Sequence, residues 1–260
     1  MKIQFESSTA CNAKCTFCPR YDMTRPRGEM SDELFYKIIK EGKEIKDSVF
    51  IPFLNGEPFV FPRIWKWLDY MKSQDVNVHI FTNAEFIDVD RVIQYPNISL
   101  FCCSVNAATK ETYDKITRGA HYETVKANVE DLIKKSKLAF SHVVVSMVVV
   151  DENQHEVKQF RKLWGKNARL SEFKNWGGAR HCDIEKSGVR KSCRALLHAM
   201  TILWDGRVVP CCMDYDGKLI LGDVNKQTLT EIWNQSKWLR RKNRALDFSM
   251  IPCRECNRNI

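Results

Sequence analysis

No stretch of the 260 residues is apolar for long enough to cross a bilayer; the longest run, Val143 to Val150, is broken by Ser146 and has the length of a buried strand. The N-terminus, Met-Lys-Ile-Gln-Phe-Glu, lacks a charged leader, an apolar targeting segment and a cleavage site. These two absences predict a cytoplasmic protein with no membrane partner. Aromatic-interleaved RNA-binding motifs are missing as well. The net charge of +9, concentrated in Lys134 to Lys137 and Lys237 to Arg244, therefore reads as solvated helix faces, and nucleic acid is not the expected partner. A disulfide framework is also absent from the pattern. The 11 cysteines are odd in number and gather toward the two ends at short spacings, which points to metal ligation in a reducing compartment.

What is present is enough apolar sequence, 44% of residues, to fill a core. Ile3 and Phe5 alternate with polar neighbours as a first strand. Ser31 caps a helix whose stripe is Leu34, Phe35, Ile38 and Ile39, and Gly42 ends it. Strand 49–54, a helix opened by Pro62 and carrying Ile64, Trp67, Leu68 and Met71, and strand 76–81 follow. The alternation continues through strand 98–104, helix 122–136, strand 142–150, helix 152–164 and a sixth strand over 170–174. Five β/α units in a row predict an α/β fold with a parallel sheet, its ligand site at the C-terminal strand ends.

The first strand runs into Cys11-Asn-Ala-Lys-Cys15-Thr-Phe-Cys18-Pro. A CxxxCxxC pattern arises by chance only ~0.02 times in a chain of this length and cysteine content. Three thiolates at this spacing can hold three irons of a [4Fe–4S] cube and leave the fourth iron open to a ligand; a zinc site is the alternative. The loop, with Phe17 before the last cysteine and Pro19 after it, resembles the signature of radical S-adenosylmethionine (radical SAM) enzymes.

That resemblance covers nearly the whole chain and implies a partial (β/α)6 TIM-like barrel. Asn55-Gly56-Glu57-Pro58 resembles the family's Gly-Gly-Glu motif, whose backbone meets the SAM amino group, with Asn in place of the first Gly. Thr82-Asn83-Ala84 occupies the usual Thr-Asn-Gly turn, and Ala replaces the Gly there. Ser104 resembles a ribose contact, and the segment 112–119 resembles the one that brings an arginine, here Arg118, to the SAM carboxylate. The resemblance thus implies SAM contacts from Phe17, Asn55, Gly56, Glu57, Pro58, Thr82, Asn83, Ser104 and Arg118.

After residue 190 the periodicity changes and cysteines return. A hairpin turning at Asp205-Gly206 presents Cys211, a helix spans 229–244, and the chain ends on Cys253-Arg-Glu-Cys256. Cys193, Cys211, Cys253 and Cys256 can ligate a second [4Fe–4S] cluster and staple a segment with little core of its own; Cys212 is an alternative to Cys211, and zinc an alternative metal. The layout resembles the Twitch domain, the shortened form of the SPASM domain, which implies a small iron–sulfur cap and one auxiliary cluster. The expected domains are a barrel at 1–185 and a cap at 186–260. Cys102 and Cys103 read as core residues.

The resemblance implies reductive cleavage of SAM to a 5′-deoxyadenosyl radical, with an electron donor such as flavodoxin or ferredoxin. Within the family the cluster layout is similar to that of the Twitch dehydrogenases, implying two-electron oxidation of a small polar or sugar-like substrate, with the auxiliary cluster taking an electron. Modification of a peptide is the second reading, weakened by a chain that begins on the first barrel strand. A non-catalytic iron–sulfur scaffold is the third. Lys174, Trp176, Arg180 and His181 are candidates for the substrate pocket, and His181, able to titrate near neutrality, for the proton acceptor.

Overall fold

A computed structural model describes residues 1–136, 142–182 and 191–257. The expected boundary at 185/186 and Lys137 lie outside the described residues. Six parallel strands form the centre: β1 (Lys2–Phe5), β2 (Val49–Ile51), β3 (Asn77–Thr82), β4 (Ile98–Ser104), β5 (Val143–Val149) and β6 (Ala168–Glu172), paired in chain order. Side chains alternate across each strand. Ile3 and Phe5 on β1 are fully buried in the main apolar cluster, while Lys2 and Gln4 face the inside of the curved sheet.

The helices cover the outer face. On α1 (Asp32–Gly42) the predicted stripe Leu34, Phe35, Ile38 and Ile39 is buried, and the Ser31 hydroxyl accepts from Leu34 N at 3.2 Å as the cap. Phe35 stacks on Trp67 of α2 (Ile64–Ser73) at 4.1 Å between ring centroids. The short helices α3 (Val89–Val92) and α4 (Lys110–Ile116) were not predicted; α4 runs into the first part of the 112–119 motif. Next come α5 (Tyr122–Lys135) and α6 (Val157–Trp164). The sixth strand starts two residues earlier than predicted, because Ala168 is already in register with Val145 of β5.

Beyond α7 (Arg194–His198), strand β7 (Ala199–Ile202) pairs in parallel with the free edge of β1, Lys2 opposite Ala199 and Gln4 opposite Thr201. The predicted hairpin then returns as β8 (Arg207–Val209), antiparallel to β7, and β9 (Gly222–Asp223) completes one nine-stranded sheet. The C-terminal segment is thus grafted onto the barrel's own edge, covering backbone groups that an open strand would expose. The helix expected over 229–244 is two helices, α8 (Leu229–Gln235) and α9 (Lys237–Arg244). The break has a local cause: Ser236 donates its hydroxyl to the Ile232 carbonyl at 2.7 Å, competing with its own N–H, which bonds the same carbonyl at 3.2 Å, and such a back-bond bends a helix. The bend lets Ile232 join the main apolar cluster while Leu239 joins a smaller one around the C-terminal cysteines.

Candidate active site

The loop Cys11–Cys18 leaves the C-terminal end of β1 and is pinned by main-chain bonds. Thr16 N donates to Ile116 O at 3.0 Å, Lys14 N donates to Arg118 O, and Cys18 N donates to Cys15 O at 3.1 Å. The 116–118 segment can lie this close because residue 119 is glycine: at φ +89° a Cβ there would sit 2.6 Å from Asn12 O. Arg20, buried, donates to Thr9 O and Cys11 O at 3.1 and 3.3 Å, and Arg180 donates to Cys18 O at 3.0 Å while pairing with Asp22.

Burial raises all three thiols, that of Cys11 to about 12, with further upward pushes from Glu57 on Cys11 and from Cys18 and Cys11 on Cys15. Arg20 opposes this at Cys11 and Cys18, and Arg180 at Cys18. Three buried thiols that hold one another protonated become thiolates together only around a positive core. The hydroxyl of Thr117 lies beside the Cys15 sulfur, and the buried hydroxyls of Thr117 and Tyr113 have no hydrogen-bond partner in the protein. Orphaned donors beside a thiol suit a group with sulfide acceptors. This donor set fits an iron–sulfur cluster.

Asn55 to Pro58 follow β2 and lie against the same loop. Gly56 is indispensable for the approach, since a Cβ on it would fall 2.0 Å from Ser8 O and 2.8 Å from Ala10 O; Glu57 N donates to Ala10 O at 2.8 Å. The Glu57 carboxylate is buried and accepts from Phe59 N at 3.2 Å, Thr82 Oγ1 at 2.6 Å and Asn83 N at 2.7 Å. It joins the ends of β2 and β3, and burial outweighs these bonds to raise its carboxyl to about 7. The Glu57 side chain is spent on the scaffold, as is its N–H, and the Glu57 and Pro58 carbonyls each already accept one main-chain bond, from Val60 N and Phe61 N at 3.1 Å, which leaves their second lone pairs and the main chain of Asn55 and Gly56 for a ligand. Ala84 adopts φ +66°, so the turn keeps the left-handed shape without the glycine, at about 1–2 kcal/mol of strain. Asn83 donates to Asn12 Oδ1 at 2.8 Å, and Asn12 in turn donates to the buried Glu85. Ser104 closes β4, half-buried, and the Arg118 side chain is exposed. Phe17 packs with Ile116, Val150, Phe173 and the buried Cys182.

Cys193, Cys211, Cys253 and Cys256 line one small pocket with Leu196, Met213 and Phe248. Cys212 is outside this pocket but packs both against the same cysteine cluster and against Leu54, Leu203 and Val209, and it lines the larger cavity inside the sheet. Among the described residues no three His, Cys, Asp or Glu side chains close on a single ion, and the four C-terminal cysteines surround a space and not a point. Asn243 of α9, fully buried, accepts from Cys193 N at 2.7 Å and donates to Cys193 O at 3.0 Å. Asn175 and Asn257 exchange bonds of 2.9 and 3.1 Å, and a Cβ on Gly177 would meet Pro252 at 2.7 Å; the Asn-Trp-Gly-Gly segment thus holds the terminal CxxC loop. These clamps carried no sequence signal beyond the Gly-Gly pair.

Inside the sheet lies a cavity of about 570 Å³, and Cys211 belongs both to its wall and to the four-cysteine pocket. Of the four substrate-pocket candidates, Trp176 lines this cavity. Lys174 bonds Glu172 at 3.1 Å, Arg180 serves the Cys18 loop, and His181 is exposed and outside the cavity wall. A buried network was not anticipated: Glu6, fully enclosed, accepts from Arg25 at 2.7 Å and Asn55 at 3.0 Å, and Arg25 donates to Tyr215 O at 2.8 Å, tying barrel to C-terminal segment. Cys102 and Cys103 are buried in β4 as core residues.

A family model described as the radical SAM superfamily matches residues 5–163, and one described as an iron–sulfur cluster-binding domain, SPASM, matches 193–257. Among curated proteins, the S-adenosyl-L-methionine-dependent 2-deoxy-scyllo-inosamine dehydrogenase of Niallia circulans is 21% identical over 91% of this chain and 83% of its own length. Mycofactocin maturase MftC of Mycobacterium tuberculosis is 24% identical over 67% of the chain, which spans 45% of that protein. Among solved structures, BtrN in complex with AdoMet and 2-DOIA aligns with TM-score 0.69 and 16% identity over 98% of this chain and 92% of its own. Streptococcus suis SuiB bound to precursor peptide SuiA aligns with TM-score 0.75 and 13% identity over 98% and 69%. At these identities the structural likeness speaks for the fold, a partial TIM-like barrel. With more than half its length matched by the family model and the cysteine loop, Gly56 and the Glu57 hub in place, the chain belongs to the radical SAM superfamily and carries a SPASM-type domain.

Proposed function

We propose that the protein carries out a two-electron oxidation of a small polar substrate held in the cavity inside the sheet. The observation that carries this reading is Cys211, shared between the wall of that cavity and the pocket of the four C-terminal cysteines. In this reading Cys11, Cys15 and Cys18 hold one [4Fe–4S] cluster, Cys193, Cys211, Cys253 and Cys256 hold another, and the domains are 1–185 and 186–260. When bound, these groups and SAM supply the electron and the 5′-deoxyadenosyl radical that removes a hydrogen atom, and an acceptor for the electron left on the substrate carbon.

The chain's own part is positional. Gly56 and the backbone of Asn55, Glu57 and Pro58 offer main-chain groups to the SAM methionine moiety; Thr82 and Asn83 fix that loop through Glu57. Phe17, Ser104 and Arg118 complete the proposed SAM contacts. Trp176, Phe53 and Phe81 exclude water from the cavity, which keeps a carbon radical from stray donors. Proton loss from the substrate needs a base. His181 stays the candidate of the sequence pattern; His198, which lines the cavity, is the second. A flavodoxin or ferredoxin is the proposed electron donor.

Peptide modification is the alternative, supported by the 24% identity to a maturase. The test is anaerobic reconstitution with dithionite and SAM, followed by chromatography. Formation of 5′-deoxyadenosine, with faster formation on addition of a small alcohol or amine substrate than of any peptide, supports the proposal. No 5′-deoxyadenosine from protein holding both clusters would leave the scaffold reading.

A further inference from the structure

The ionisable groups lining the large cavity, apart from its cysteines, are basic. Lys2 begins β1, and its strand partner Ala199 directly follows His198. Arg194 and His198 are four residues apart on α7 and so share one face of it. All three line the cavity, no Asp or Glu does, and among the described residues none of the three forms an ion pair with a carboxylate. Thr201, fully buried on the adjacent strand and facing the same space opposite Gln4, has a hydroxyl without a partner in the protein. The facing wall is aromatic: Phe53 and Phe81 stack at 5.9 Å between centroids, with Trp176 beside them.

Lys2 and Arg194, two cations in a recess with no carboxylate among its described lining residues, repel each other, and a buried hydroxyl without a partner costs about 1–3 kcal/mol. A ligand that brings an oxyanion relieves both. We infer that the substrate of this enzyme is a small organic oxyanion, a carboxylate or phosphate ester, with its anionic group against Lys2, Arg194 and His198, Thr201 donating to it, and its body against Phe53 and Phe81. The inference rests on the cavity being the substrate site of the proposed oxidation and narrows that substrate to one charge class. The volume admits a molecule of metabolite size.

The test is isothermal titration of the anaerobically reconstituted full chain with three molecules sharing one carbon body: glycerate, glycerol 3-phosphate and uncharged glycerol. At least one anion is expected to bind about tenfold or more tightly than glycerol and to weaken as salt rises. Which anion wins distinguishes carboxylate from phosphate. Arg194→Gln and Lys2→Gln should each weaken it about tenfold; Lys2, on β1 and not beside a C-terminal cysteine as Arg194 is beside Cys193, guards against a loss caused by a damaged cap. Glycerol binding as tightly as both anions, no binding of any of the three, or anion binding untouched by both substitutions would overturn the inference. Wild-type 5′-deoxyadenosine formation, measured on the same preparation, tests the oxidation separately. Its absence alongside anion-selective binding sinks the radical chemistry and leaves the anion site standing, and its presence without anion preference sinks the anion site alone.

Discussion

The two cysteine sets reach comparable arrangements with very different amounts of chain. Cys11, Cys15 and Cys18 come from one loop of eight residues, held by main-chain bonds to 116–118, by Arg20 and by the close approach of Gly56 and Gly119. Its shape is dictated by the barrel beneath it. Cys193, Cys211, Cys253 and Cys256 come from three segments spread over more than sixty residues, around an apolar cluster whose buried members besides cysteine are Leu196, Met213 and Leu239. Three buried aliphatic side chains bury too little surface to hold three segments together, so the second site must draw on Asn243, on the Asn175–Asn257 pair and on whatever the four sulfurs bind. The first site is made by the fold. The second helps to make it.

The sharpest way to break that comparison is Cys15→Ala. Two thiolates hold a cube poorly, so 5′-deoxyadenosine formation should fall below detection while the barrel keeps its thermal unfolding midpoint and about four irons of about eight remain. Replacing Cys253 and Cys256 together should do the opposite. Loss of a metal group that contributes to folding, worth about 10–16 kcal/mol for structural zinc in zinc-finger peptides, should abolish hydrogen-exchange protection in α7 and α9 while the outer helices of the barrel stay protected. Equal protection in variant and wild type would contradict the difference between the sites.

Gly56→Ala tests how closely the first site is built. Overpacking against Ser8 O costs about 1–3 kcal/mol, so SAM affinity measured by calorimetry should fall by about 10- to 100-fold with iron content kept. Glu57→Gln gives the smallest effect, read as a pH slope. The carboxyl's folded value of about 7 lies above its ordinary 4.5, so the native state binds the extra proton between those limits. Its contribution to stability is full below about pH 4.5 and is lost as pH rises through about 7. The Gln variant, which does not titrate, should show a flatter midpoint-against-pH curve there.

Much of the first region was legible because its signals are local. The cysteine spacing, Gly56, the strand ends and the stripes of α1 and α2 are read within a few residues of one another. The four C-terminal cysteines were legible as ligand types and lie together in the structure. What held them in place was not legible. Asn243 and Asn175 act across fifty and eighty residues, and a buried asparagine has no sequence pattern that separates it from a surface one. The pairing of β7 with β1 is a contact between the chain's start and its last third, which periodicity does not encode. The short helices α3 and α4 give too few turns for a stripe, and Ser236 breaks a helix through a bond that depends on its rotamer. The left-handed Ala84 shows the converse: the sequence has Ala where the resembling turn has Gly, yet surrounding bonds from Thr82 and Glu57 hold the turn in shape.

We propose that this chain holds two iron–sulfur clusters and leaves one iron of the first open to SAM. Electron paramagnetic resonance of the dithionite-reduced protein, with and without SAM and alongside a metal count, tests it most directly. Two overlapping signals, about eight irons per chain and a shift of one signal on adding SAM are predicted; bound zinc, or a spectrum indifferent to SAM, would contradict it.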